Sequence, residues 1–289
     1  MVVHRKYSQF LLPQQGKKIG LASLICLLAG TLYLHSMENN GRGTKAIGMA
    51  NAFVAVSDNL WAINYNPAGL TQVTGIQCAA FIIPNQFGLP ELRTTALAAA
   101  VPFSFATFAL KAEKFGFDLY KETEVGMACA LKLDQNISGG LTLNLHRLDI
   151  ARYGSTQNVI LNGGILTYAL KSVKVGFNFN NMMGATVGRL SEKIPQLFTL
   201  GACWSPLDDL LLSLEMEKDI RYPASIKWGI EQTVFSVLAF RAGVANNPEK
   251  YSAGIAVEYS FFEFGYAGYS QLDLGWTHQI EISFKLDNY

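Results

Sequence analysis

The residues able to do chemistry in this 289-residue chain are few and scattered. Past residue 36 the only histidines are His146 and His278, and the only cysteines are Cys78, Cys129 and Cys203. An odd, widely spaced set without a Cys-x-x-Cys pair is neither a disulfide framework nor a zinc site. Each cysteine sits in a strand-like run, where a small buried apolar residue is expected. Gly268-Tyr269-Ser270-Gln271-Leu272 lacks the second glycine of a nucleophile elbow. Gly41-x-Gly43 followed by Gly48 misplaces the third glycine of a dinucleotide loop and has no strand before it. The reading is a chain that is not an enzyme, with no catalytic residue, no metal site and no cofactor.

The remaining chemistry is charge. Lys132, Lys174, Glu215, Glu217, Lys227, Glu231, Arg241, Glu258, Glu281 and Lys285 occupy the polar positions of alternating runs. Mixed signs on one face fit a paired network that holds a structure together, or else a polar path for a solute. His146 shares such a face, whereas His278 shares the apolar face with Ile280, which suits an interfacial position better than a metal site.

These side chains are positioned by strands. From about residue 74 the chain alternates: Leu210, Leu212, Leu214 and Met216 oppose Ser213, Glu215 and Glu217. Ile226, Trp228 and Ile230 oppose Ser225, Lys227 and Glu231, and Ile280, Ile282, Phe284 and Leu286 oppose Gln279, Glu281, Ser283 and Lys285. Strict period two over such lengths marks β-strands with one apolar and one polar face. The rule gives fourteen spans: 75–83, 92–101, 104–114, 122–133, 137–147, 158–170, 173–180, 195–204, 209–218, 224–234, 236–245, 250–260, 262–269 and 275–286.

Composition bounds the rest. Half the chain is apolar and 16% is charged, which excludes disorder. Residues 1–36 carry Arg5, Lys6, Lys17 and Lys18 and no acid, leaving 19 basic against 22 acidic residues beyond them. That balance lacks the positive charge a nucleic-acid binder needs, so no nucleic-acid partner is expected. The basic stretch, the sixteen-residue apolar core Ile19–Leu34 and Ser36 read as a secretory signal over 1–36. The core is shorter than the ~20 residues that cross a bilayer.

An exported, apolar chain of alternating strands is either a soluble sandwich with its apolar faces inward or a membrane barrel with them outward. Strands repeating every fifteen residues or so suit tilted spans of ~9–11 residues. Trp204, Tyr251, Tyr259, Tyr266 and Trp276 are placed toward strand ends as an interfacial girdle. Long connections at 148–157 and 181–194 alternate with short ones at 134–136 and 171–172. The expectation is an all-β, closed, antiparallel transmembrane barrel of about fourteen strands spanning 74–289.

The segment before the strands does not alternate. Residues 41–70 read GRGTKAIGMANAFVAVSDNLWAINYNPAGL. With Gly41, Gly48, Met49, Ala52, Phe53, Val54, Ala55 and Asp58, then Asn66, Pro67, Ala68, Gly69 and Leu70, it resembles the N-terminal signature of the FadL-like outer-membrane barrels, including the PorV/PorQ group. Thr44 replaces the family's usual arginine, and Ala50 and Asn51 its glycine pair. The last strand, GWTHQIEISFKL, is similar to the family's closing strand. The resemblance implies that 37–73 is a hatch inside the barrel, with Gly48, Met49, Phe53, Asp58, Asn66, Pro67, Ala68 and Gly69 as hatch or ligand-gating residues. It could gate or only plug.

The resemblance also implies a bacterial outer membrane, contact with its lipid, and transport of hydrophobic, fatty-acid-like small molecules. The alternatives are a PorV-like part that docks secreted proteins or other secretion-system proteins, and a structural porin.

Overall fold

The computed structural model describes residues 41–187, 192–220, 222–272 and 274–286. The expected signal, 1–36, and residues 37–40 of the expected hatch lie outside the described residues. After a helical turn at Thr44–Gly48, another at Ala62–Tyr65 and a 3-10 turn at Pro67–Gln72, the chain is strand. Running in order are β1 (Ile76–Ile83), β2 (Thr94–Pro102), β3 (Thr107–Phe117), β4 (Tyr120–Lys132), β5 (Ile137–Ile150), β6 (Gly154–Leu170) and β7 (Val173–Asn180). A two-residue ladder, β8 (Thr186–Val187) with β9 (Glu192–Lys193), interrupts them. Then follow β10 (Leu197–Leu207), β11 (Leu210–Asp219), β12 (Ser225–Val234), β13 (Leu238–Asn246), β14 (Glu249–Tyr259), β15 (Phe262–Gln271) and β16 (Gly275–Leu286).

Leaving out the ladder, fourteen antiparallel strands pair with their chain neighbours, and β1 pairs with β16 to close the barrel. Closure satisfies every edge, as a sheet in lipid requires. The alternation resolves as inside against outside. On β12, Ile226, Trp228 and Ile230 are 40–54% exposed, whereas Ser225, Lys227 and Glu231 are at most 8% exposed. An apolar exterior over a polar interior is the membrane solution, inverted relative to a soluble core.

Three expectations need correction. Residues 148–157 are not a long loop: β5 and β6 continue to Ile150 and from Gly154. Strands β3–β6 thus form a tall wall beside the eight-residue β7. Cys203 is buried, but Cys78 is exposed on the outer face of β1, because strand parity rather than residue type decides its side. Tyr266 lies mid-strand in β15, not near an end; its hydroxyl meets His278 Nδ1 at 2.6 Å on the exterior.

The interior is not polar throughout. Inward positions of β1–β4 carry Ala79, Phe81, Ala96, Ala98, Ala100, Ala109, Ala128 and Ala130, packed with Leu60, Trp61, Ile63 and Leu70. Small side chains there leave room for the segment that precedes β1.

Candidate functional site

The N-terminal segment 41–73 folds against inward-facing residues on strands around the barrel. Its short turns have too few residues to be stable alone, so wall contacts must hold them. Glycines on the inner face form the seat. A Cβ on Gly140 would meet Ala68 N at 2.5 Å, one on Gly176 would meet Val54 carbonyl carbon at 2.7 Å, and one on Gly229 would meet Met49 Cβ at 2.7 Å. Gly164 and Gly265 are equally filled by Asn66 and Thr44.

Carboxylates from the wall bind the segment's main chain. Glu215 on β11 accepts the N–H groups of Phe53 at 2.9 Å and Val54 at 2.8 Å, while Lys227 Nζ neutralises it at 3.0 Å. Glu215 and Lys227 are register partners across β11–β12. Glu281 on β16 accepts from Thr44 N at 2.5 Å, Thr44 Oγ1 at 2.9 Å and Trp61 Nε1 at 2.6 Å. Lys45 lies between Asp58 at 2.8 Å and Glu231 at 2.7 Å, and Glu231 also pairs with Arg241 at 2.6 Å. Burial alone would lower the Lys45 pKa, but Asp58 and Glu231 outweigh it and hold the amine above the usual lysine range. Such closed networks are consistent with the structural reading of the inward charges.

Each residue singled out from sequence lies at a contact of this kind. Gly48 is buried, with Arg241 Cβ at 3.0 Å from where a Cβ would stand. Met49 fills the space over Gly229 and Gly243. Phe53 packs edge-on to Tyr65 at 5.1 Å, and Asp58 holds Lys45. Asn66 accepts from Ala68 N at 3.2 Å, closing the turn that Pro67 starts. Its amide donates to Val54 O at 2.8 Å and across to Ile165 O on β6 at 3.0 Å. Ala68 lies on Gly140, and a Cβ on Gly69 would strike Ser57.

None of these eight lines the cavity beside the tall wall. A cavity of about 260 Å³ lies on the inner side of the tall wall, lined by Arg42, Glu113, Phe115, Glu122, Glu124, His146, Ile160 and Ile194. Register explains the grouping: Glu113, Glu124, His146 and Asn158 are successive partners across β3, β4, β5 and β6, one rung of the wall. Like charges directly opposite, such as Glu113 and Glu124, destabilise a sheet unless countered. Arg42 from the segment binds Glu113 with both Nε and NH2, the former at 2.5 Å, and Lys111 pairs with Glu124. Glu122 accepts from Tyr120 and contacts His146 Nε2 at 3.2 Å. Reading the sequence placed His146 inward but missed the glutamates and Arg42, although Glu122, Glu124 and His146 share even positions on adjacent strands. A second, smaller cavity of about 70 Å³ is lined by Glu258 and Lys285 together with Lys45, Trp61 and Glu281. Among the described residues no cluster of metal-ligating side chains occurs.

No family model and no curated protein matches this sequence. Solved structures do. The CymD monoaromatic hydrocarbon channel superposes with a TM-score of 0.65 at 12% identity, over 86% of this chain and 98% of that one. The Pseudomonas putida toluene transporter TodX gives 0.65 at 10%, covering 86% and 99%. A Pseudomonas aeruginosa FadL homologue gives 0.61 at 11%, covering 88% and 99%. The chain therefore has the FadL-like outer-membrane barrel fold: fourteen antiparallel strands closed on themselves and apolar toward lipid.

Proposed function

We propose that this protein sits in a bacterial outer membrane and passes hydrophobic small molecules across it, without covalent chemistry. The observation that carries the reading is a bore filled by residues 41–73 with a cavity left beside the β3–β6 wall. A filled bore does not suit general diffusion, and a cavity touching the filling segment through Arg42 suits capture followed by movement of that segment. The structural neighbours include proteins described as a monoaromatic hydrocarbon channel and a toluene transporter, which supports the same class of solute. In this reading 37–73 is a hatch, and Asn66 and Pro67 set the turn on which it moves. A fatty-acid-like cargo is the finer form of the proposal. The docking alternative gains no support from the connections between barrel strands, of which ten are only two to four residues long.

The test is uptake of labelled toluene into lipid vesicles carrying the purified barrel. Asn66→Ala with Pro67→Ala removes two ties worth ~1 kcal/mol each or somewhat more. Assembly, read by heat-modifiable gel migration, should persist, because the strands supply most of the burial. Uptake should change, lost with a displaced cavity or raised by a loosened segment. Normal assembly with unchanged uptake would make the segment passive filling and count against a gate.

A further inference from the structure

The outer face of the tall wall changes character within two residues. Ala112, Val125, Leu145 and Val159 are successive partners across β3, β4, β5 and β6, and all four are exposed on the lipid-facing side. The next outward rung is Lys114, Thr123, Arg147 and Gln157, and the one above it holds Lys121 and Asp149. Beside that upper rung Gly116 N donates to Arg93 O at 3.0 Å, which adds Arg93 to the row. Rungs two residues apart stand ~7 Å apart along a strand. A belt of cations therefore begins one step above an apolar band. Acid is sparse in it. Asp149 is held by Arg147 at 2.9 Å through both Nε and NH2, and among the described residues Arg93, Lys114 and Lys121 form no ion pair. The four cations and Asp149 leave a net charge of +3, and Glu91, Asp118 and Arg152 in the adjoining connections bring it to +2. The belt is confined to this side of the barrel. At the same end of β12–β16 the outward rung Trp228, Val244, Tyr251, Ser270 and Trp276 is uncharged, and the next outward residues on β13 and β14 are Asn246 and Glu249. That end is the extracellular one by its loops. The connections 84–93, 181–196 and 220–224 all leave from it, whereas every connection at the opposite end has two to four residues.

We infer that this belt binds the phosphate groups of outer-leaflet lipid. A lipid whose chains lie against Val125 and Leu145 carries its headgroup at the height of Lys114 and Arg147. Continuity with the lipid-facing band thus fixes where the partner sits, and the charge fixes its sign. Arginine forks phosphate oxygens with paired N–H groups, while lysine acts as a flexible point charge. Cations clustered at the edge of a membrane-facing surface attract anionic headgroups, each adding about fivefold to the binding. Bound lipid holds the outer leaflet against the tall side of the barrel alone. The binding needs the membrane placement but no passage of a solute, so it stands independently of the transport reading.

The experiment is native mass spectrometry of the full barrel in mild detergent, titrated with lipid A and with the same glycolipid stripped of its phosphates. The phosphorylated form should bind at least roughly tenfold more tightly. Lys114→Gln with Lys121→Gln should weaken that binding by about twentyfold. Lys132→Gln with Lys171→Gln removes the same charge from exposed positions at the opposite end and should leave it unchanged. Equal binding of the two lipids, a belt variant that binds like the wild type, or an equal loss from both pairs of substitutions would overturn the inference. Inorganic phosphate at the concentration of the lipid should leave the lipid bound; displacement by it would mark a free-anion site and overturn the lipid as partner. Heat-modifiable migration reports the assembly of each variant, and the wild-type comparison of the two lipids decides even where a variant fails to assemble.

Discussion

The two halves of the bore are furnished differently above the N-terminal segment. On the β13–β16 side, Ile47, Ala267 and Tyr269 pack together with Phe87 from the β1–β2 connection. Phe87 meets Tyr269 edge-on at 6.3 Å, Lys250 Nζ lies 3.9 Å from the centre of the tyrosine ring, and Phe87 N–H donates to Thr277 Oγ1 at 3.0 Å. That half is stoppered by side chains. On the β3–β6 side the strands are longer, the inward rung is ionic, and a cavity remains. The segment is braced by strands of both halves, β5 and β6 included, and the larger cavity borders it on the β3–β6 side. Of the two cavities described, the larger lies beside the tall wall, where the proposed transport would place the route.

The largest effect expected is on the bracing. Glu215→Ala would leave Lys227 buried beside Glu217 alone and strip the acceptor from two main-chain N–H groups, at a cost of about 3–5 kcal/mol. Urea titration of the folded barrel in lipid should show that loss, with the segment becoming sensitive to protease. Next is the stopper. Tyr269→Ala removes a fully buried ring and should cost about 3 kcal/mol in the same titration, with a leak of small hydrophilic dyes through the half that is otherwise filled. If the dye leak failed to appear, the β13–β16 half would not be a seal. Smaller again is Gly243→Val, which pushes branched carbons into the main chain of Met49 and Ala50 and should cost about 1–3 kcal/mol in the same titration.

Much of this was legible in sequence. Period-two alternation locates all fourteen barrel strands, since a lipid-facing side chain must be apolar at every second position whatever its partners are. The segment with Asn66 and Pro67 was legible through turn chemistry, and the Asn66 side chain closes that turn. The ionic rung was not, because Glu113, Glu124 and His146 become neighbours only through register, which alternation leaves free. The full extent of β5 and β6 was equally hidden: polar residues such as Arg147 and Asp149 read as a loop, while in the protein they continue a strand. The glycine seat went unread for a related reason. Gly140, Gly164, Gly229 and Gly243 each look like weak points within a strand until the Pro67, Asn66 and Met49 that occupy them are placed.

The most direct test of the assigned route is to fill the cavity. Ile160 faces inward on β6 within its lining, half-buried and away from the bracing carboxylates. Ile160→Trp adds an indole's bulk to a space of about 260 Å³. Uptake of labelled toluene into vesicles should fall to the level of protein-free vesicles, while heat-modifiable migration stays normal. Uptake at the wild-type rate through a correctly assembled Ile160→Trp barrel would contradict a route along the β3–β6 wall.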